Sequence, residues 1–313
     1  MPTFARDMNS EFSLRTTNDG RVIGTVESTE PAPVISQGTA EEWFNKGVEL
    51  YNQGIYDEAI KAFGQAITIN PKYAEAWSKK GEALCSQGKY EEVIKACDEA
   101  LKINPRYANA WTGKGAALYG QGKYDEAIKA YDQAISINPQ LANAWSNKGV
   151  ALYSQSKYDE AIKAYDQAIS INPQSSDAWC NKGTALFAMG KYNESIEALD
   201  LAITIDSKNF AAWFEKGEVL YVRARESLSK KDDNSLYAIF DLLNATSCLD
   251  KSLELNSNNS IACSAWYQKG NIFAIFGRNN EAIDAYNAAL KIDPTKSEIQ
   301  EQKNRVLKAL GQQ

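Results

Sequence analysis

Between residues 142 and 175 the apolar positions fall on two short helical faces separated by a polar break. Trp145, Gly149 and Leu152 stand at i, i+4 and i+7, one side of a first helix, where tryptophan supplies bulk and glycine admits a neighbouring helix closely. A turn follows over Ser154 to Lys157; the equivalent stretches elsewhere carry Gly54, Gly88, Gly122 and Gly190, and this one has Ser156. The second helix opens with Asp159 and Glu160 at the positive end of its dipole and sets Asp159 four residues before Lys163. It stops at Asn172-Pro173, because the residue before proline is pushed out of helical geometry. Tryptophan recurs every 34 residues, at Trp43, Trp77, Trp111, Trp145, Trp179 and Trp213, with Trp266 displaced by an insertion. Such a period predicts one helical unit stacked repeatedly, an all-α solenoid and not a single globular core.

The unit carries more than tryptophan. Trp145, Gly149, Tyr153, Tyr158, Ala161, Tyr165, Ala168 and Pro173 have counterparts at Trp111, Gly115, Tyr119, Tyr124, Ala127, Tyr131, Ala134 and Pro139. This pattern resembles the tetratricopeptide repeat (TPR). In the same frame the units run 40–73, 74–107, 108–141, 142–175, 176–209, 210–259 with an insertion, and 263–296. The resemblance implies a right-handed TPR superhelix of seven helix-turn-helix repeats. A capping helix is expected over 297–313, with Ile299, Val306, Leu307 and Leu310 on one apolar face, Ser297 capping its start and Gly311 ending it.

Three stretches depart from the pattern. Residues 1–39 form an N-terminal arm in which Asn18-Asp19-Gly20 would turn a weak β-hairpin between Phe12–Thr16 and Val22–Val26. The arm is either flexible or docked on Phe44 and Val48 of the first repeat. In the sixth unit the second helix is delayed by about sixteen residues around 229–235, which predicts two lengthened helices projecting by about 12 Å. That hairpin would pack on its own apolar stripe, or serve as a lip over the groove or a dimer contact. Finally, a lysine precedes the repeat glycine in every unit (Lys46, Lys80, Lys114, Lys148, Lys182, Lys216, Lys269), where the TPR pattern usually has leucine. It would lie about 60–70° from the buried face, on the side away from the groove. There its stem covers apolar surface while the ammonium reaches water, an acid or helix carbonyls, the alternative being a basic ladder for an acidic ligand.

Stacked repeats make a long concave surface with little room for a closed pocket, so a non-catalytic scaffold is favoured over an enzyme. In the TPR family, ligands touch the second, fifth, sixth, ninth, twelfth and thirteenth places of each first helix. Matched onto this sequence, the candidate groove residues are Asn109, Thr112 and Tyr119; Asn143, Ser146, Asn147 and Tyr153; Asp177, Asn181 and Phe187; and Tyr221. Asparagine both donates to and accepts from a peptide backbone, which suits an extended or helical partner segment, although it is also common there in TPR units of any purpose. The family's carboxylate clamp is missing. Only Lys79 could serve, against Glu75, Glu82, Asp177, Glu215 and Glu218, so a neutral to mildly basic segment is expected.

Composition narrows the field further. A net charge of -6 argues against general nucleic-acid or membrane-surface binding. The chain has no histidine, which removes Ser-His-Asp, Cys-His and histidine-metal sites, and its five cysteines form no CxxC pair, so neither a metal nor a cofactor is expected. No apolar run approaches the length of a membrane span and the N-terminus does not read as a signal peptide, giving a cytoplasmic expectation. The alternative to a peptide-binding scaffold is a self-assembling homo-oligomeric module, its groove incidental or filled by residues 1–39.

Overall fold

The computed structural model describes residues 38–230, 235–257 and 260–311. The expected arm therefore lies almost wholly outside the described residues, as do the tip of the insertion and the last two residues. Among the described residues there are fifteen α-helices and no strand. They pair in sequence order: α1 (Ala40–Asn52) with α2 (Tyr56–Ile69), α3 (Ala74–Cys85) with α4 (Tyr90–Ile103), α5 (Ala108–Gly120) with α6 (Tyr124–Ile137), and α7 (Ala142–Ser154) with α8 (Tyr158–Ile171). Then follow α9 (Ser176–Ala188) with α10 (Tyr192–Ile205), α11 (Phe210–Ser229) with α12 (Ser235–Leu255), and α13 (Ser260–Ile275) with α14 (Asn279–Ile292), before α15 (Ser297–Ala309). This order is compatible with seven repeats and a final helix. From α3 to α13 each odd helix also adjoins the next odd one, so a single face of the stack is built from first helices.

The periodic residues make two recurring joints. Within a hairpin, the glycine of the first helix receives a large side chain of the second: a Cβ on Gly149 would stand 2.5 Å from the Tyr165 ring, and one on Gly115 or Gly47 would stand 2.6 Å from Tyr131 or Phe63. The bulk opposite glycine thus comes from the second helix and not from tryptophan. Tryptophan serves the junction between hairpins. The indole N–H of Trp145 donates to the Pro139 carbonyl at 3.0 Å and that of Trp179 to Pro173 at 3.1 Å, fixing the turn that proline begins. Within hairpins the turn glycines have φ near +70 to +76°, and Ser156 takes the same left-handed conformation at φ 60°, which explains why its neighbours use glycine there.

The sixth hairpin is longer, as its sequence predicts. Its helices have 20 and 21 residues where α7 and α8 have 13 and 14, seven more in each arm, or about 10 Å. The Arg223 guanidinium binds both carboxylate oxygens of Asp241, at 2.8 and 2.7 Å, and ties the arms together over Ala224, Ala238 and Leu242. Two details differ from expectation. Helix α13 begins at Ser260, three residues before the repeat frame. Lys296 and not Ser297 is the N-cap of α15, without a side-chain cap bond. Ile299 and Val306 do bury that helix against Tyr286 and Ala289.

Candidate functional site

The row of first helices holds a series of shallow depressions. One, of about 420 Å³, lies between α3, α5 and α7 and brings together Asn109, Thr112, Asn143 and Asn147. A second, of about 440 Å³, lies between α7, α9 and α11 and collects Ser146, Asp177 and Asn181 with the same Asn143 and Asn147. A third, of about 290 Å³, sets Tyr119 beside Asn147 and Val150. Asn147 is common to all three. Helical geometry explains the grouping, since Asn143, Ser146, Asn147 and Val150 fall at i, i+3, i+4 and i+7 on one face of α7 while Ala144, Gly149 and Leu152 are buried on the other.

The aromatic positions behave differently. The structure does not bring Tyr153, Phe187 or Tyr221 into these depressions. Tyr153 and Phe187 are half-buried, their rings packed on Tyr158 and Tyr192 of the same hairpins at 5.3 and 6.0 Å between centroids. Tyr221 is only 7% exposed and belongs to the core of the long hairpin. Thr112 is also 7% exposed, and its hydroxyl donates to the Ala108 carbonyl at 3.1 Å. Of the matched positions, the depressions are thus lined by the asparagines, Ser146 and Asp177, with Tyr119 beside them and Thr112 bonded to its own helix.

Asn209 is a lining residue outside the matched positions. Its Oδ1 accepts from the Ala212 N–H as the N-cap of α11, while its Nδ2 donates to Ser176 at 2.9 Å and reaches Asp177 at 3.4 Å. The sequence signal was a polar residue at the junction position, where Tyr107 and Leu141 precede α5 and α7 but Ser175 likewise caps α9. In the first depression Lys79 is paired with Glu82 at 2.8 Å, so its charge is already met.

The lysine row has a structural explanation. The ammonium groups of Lys114, Lys148 and Lys182 bind Asp98, Asp132 and Asp166 on the second helix of the preceding hairpin at 2.6–2.7 Å. Lys216 and Lys269 do the same with Asp200 and Asp250. Each of Lys114, Lys148 and Lys182 also stands 5.4–5.5 Å from the ring centre of the tryptophan three residues before it. Lys80 keeps the ring but has no acid, because the matching position, sixteen residues earlier, is Gly64. These cations join one repeat to the next.

Burial disfavours the thiolate at all five cysteines. Burial, with Glu215 and Asp177 nearby, pushes Cys180 up to about 12, and burial does the same to Cys97. Among the described residues no three His, Cys, Asp or Glu side chains cluster as metal ligands, and no helix is long and apolar enough to cross a membrane.

Four family models described as tetratricopeptide repeat match the chain, over residues 40–73 and 263–296, 72–140, 112–176 and 152–216. A search of curated proteins gave no match. Solved structures of similar fold include the APC/C hetero-tetramer Cut9-Hcn1, at 17% identity and TM-score 0.61 over 85% of this chain and 49% of that one, so this chain spans about half its length. Another is Pseudomonas aeruginosa pilF, at 19% identity and TM-score 0.61 over 74% of this chain and 97% of that one. A tetratricopeptide repeat protein from Parabacteroides merdae is similar at 16% identity and TM-score 0.58, covering 86% and 98%.

Proposed function

We propose, on the premise that this chain belongs to the tetratricopeptide repeat family, that it is a non-catalytic scaffold whose inner groove holds an extended or helical segment of a partner protein. One observation carries the reading. Asn109, Asn143, Asn147 and Asn181 converge from three adjacent helices on contiguous depressions; Asn109 meets the Tyr107 hydroxyl, while among the described residues no protein hydrogen bond fixes the amides of Asn143, Asn147 and Asn181. Such amides can donate to and accept from a peptide backbone at several successive points. Asp177 on the same face, in no ion pair among the described residues, favours a neutral to mildly basic segment. A basic ladder is disfavoured, because Lys148 and Lys182 are engaged by aspartates and indole rings.

The test is a screen of short peptides against the full chain, followed by affinity measurement on the best binder. Replacing Asn147 and Asn181 together by alanine should weaken binding roughly tenfold, the worth of one or two net hydrogen bonds, with unchanged circular dichroism. Equal affinity in the double variant would remove the asparagine face from the reading.

A second reading, self-association, is supported by α12. Leu236, Phe240 and Leu243 stand at i, i+4 and i+7 with Tyr237 beside them, all largely exposed, and such a stripe is self-complementary about a two-fold axis. Sedimentation should then show a dimer that Phe240→Glu dissociates; a monomeric wild-type chain at high concentration would dismiss it.

A further inference from the structure

Glu215 and Glu218 lie one turn apart on α11, at inner-face positions equivalent to Asn147 and Val150 of α7. Helices α9 and α13 adjoin α11 on this face. Thr184 of α9 is within hydrogen-bonding reach of Glu215, and the side-chain amide of Gln268, on α13, faces Glu218. Neither carboxylate forms an ion pair among the described residues. The nearby bases are committed elsewhere: Lys216 to Asp200, Arg223 to Asp241, and Arg225 over the Tyr221 ring at 5.4 Å.

Gln268 supplies the independent observation. It is only 8% exposed, and its Oε1 has no hydrogen-bond partner. An orphaned buried acceptor is costly, and this one belongs to the same side-chain amide that meets Glu218. Two unneutralised acids and an unpartnered acceptor thus share one part of the inner face, with no cation paired to them among the described residues.

We propose that Glu215, Glu218 and Gln268 form a subsite for a basic side chain, lysine or arginine, of the segment bound in the groove. The inference rests on the peptide-binding reading above and places one charged residue in that segment. A guanidinium or ammonium group supplies several donors on one positive centre, enough to meet both carboxylates and the Gln268 oxygen. The subsite continues the asparagine row, because Asn181 is followed one turn along α9 by Thr184, which touches Glu215. Burial, then Glu218, pushes the Glu215 carboxyl up to about 7, and burial raises Glu218 as well, as is usual for carboxylates held without a counter-ion. The other titratable groups facing Glu215, Cys180 on α9 and Tyr153 on α7, are themselves pushed up and stay neutral, and Asp177 adds charge of the same sign. Arg225, two turns along α11 from Glu218, is held over the Tyr221 ring and pairs with neither carboxylate.

Two probes separate this subsite from the groove reading. The first is N-acetylarginine methylamide, titrated into the full chain with the Gln268 side-chain amide followed by NMR. Saturable shifts are expected, at least tenfold weaker in Glu215→Gln/Glu218→Gln, absent with the citrulline analogue, and weakening as pH falls through 7 because the Glu215 carboxylate then protonates. The second is a pool of otherwise uncharged peptides bearing one fixed arginine, lysine or citrulline. Wild type should retain the basic pools at least tenfold better than the double variant does. If every pool is retained equally by both proteins and the arginine probe is silent, the subsite is overturned while the groove reading stands. If no pool binds but the arginine probe shifts Gln268 in wild type alone, the groove reading falls and the cation subsite remains. Equal shifts with citrulline would also overturn it, since charge would then play no part.

Discussion

Replacing Tyr165 by alanine is expected to destabilise the chain by about 3–5 kcal/mol, the range for deleting a fully buried aromatic side chain. Tyr165 is 2% exposed, with its ring seated over Gly149 and surrounded by Leu152, Ala161 and Ala164. Glycine leaves no neighbouring side chain that could relax into the space, so most of the cavity would persist. Tyr165→Phe should cost little, because Phe63 fills the equivalent socket over Gly47. Since stability in a repeat array is a sum of local and nearest-neighbour contributions, hydrogen exchange should rise first in α7 and α8 and their adjoining hairpins, and least at α1 and α15. Urea unfolding gives the total, and a loss below about 1 kcal/mol would mean that the socket can collapse.

The second large effect is a pH dependence. The Glu215 carboxyl titrates near 7 in the folded chain against an ordinary value of 4.5. Between these values the folded state holds a proton that the unfolded state has released. The stability contribution of this group is therefore greatest below about 4.5, declines as pH rises through 7 and is constant above it. The shift corresponds to at most about 3 kcal/mol, reduced by whatever local relaxation lets water in. Glu218 on α11 titrates in the same direction, while Cys180 on α9 and Tyr153 on α7 remain neutral and Thr184 and Gln268 do not titrate. Unfolding midpoints in urea should fall between about pH 5 and 8, and Glu215→Gln should remove most of the difference, becoming the more stable protein at the upper end. Parallel curves for the two proteins would show that the carboxyl is not desolvated.

The helical elements were legible from local pattern. The starts of α1, α3, α5, α7, α9 and α11 coincide with the first six repeat frames, because tryptophan and glycine, with an Asn-Pro stop before α3, α5, α7 and α9, act over a few residues each. The seventh frame was less legible, and α13 extends back to Ser260, three residues ahead of it. The lengthening of α11 and α12 could also be read, since the apolar spacing continues through the insertion.

By itself the amino-acid sequence determined the repeating unit, its two helices, the glycine that needs a large partner and the face that carries the asparagines, because all of these depend on spacings within 34 residues. Tertiary structure alone decided which of those positions remain open. Tyr119 and Tyr221 hold the same place in their repeats, yet Tyr119 borders a depression and Tyr221 is buried by the long hairpin. The sequence offered Lys148 as either a basic ladder or a snorkelling residue; its pairing with Asp132, sixteen residues earlier and in another hairpin, settled its role. Gln268 and Glu218, fifty residues apart, meet only because α11 and α13 stack side by side. Burial and ionisation are set by the surrounding volume, and in a solenoid half of that volume belongs to the neighbouring repeat.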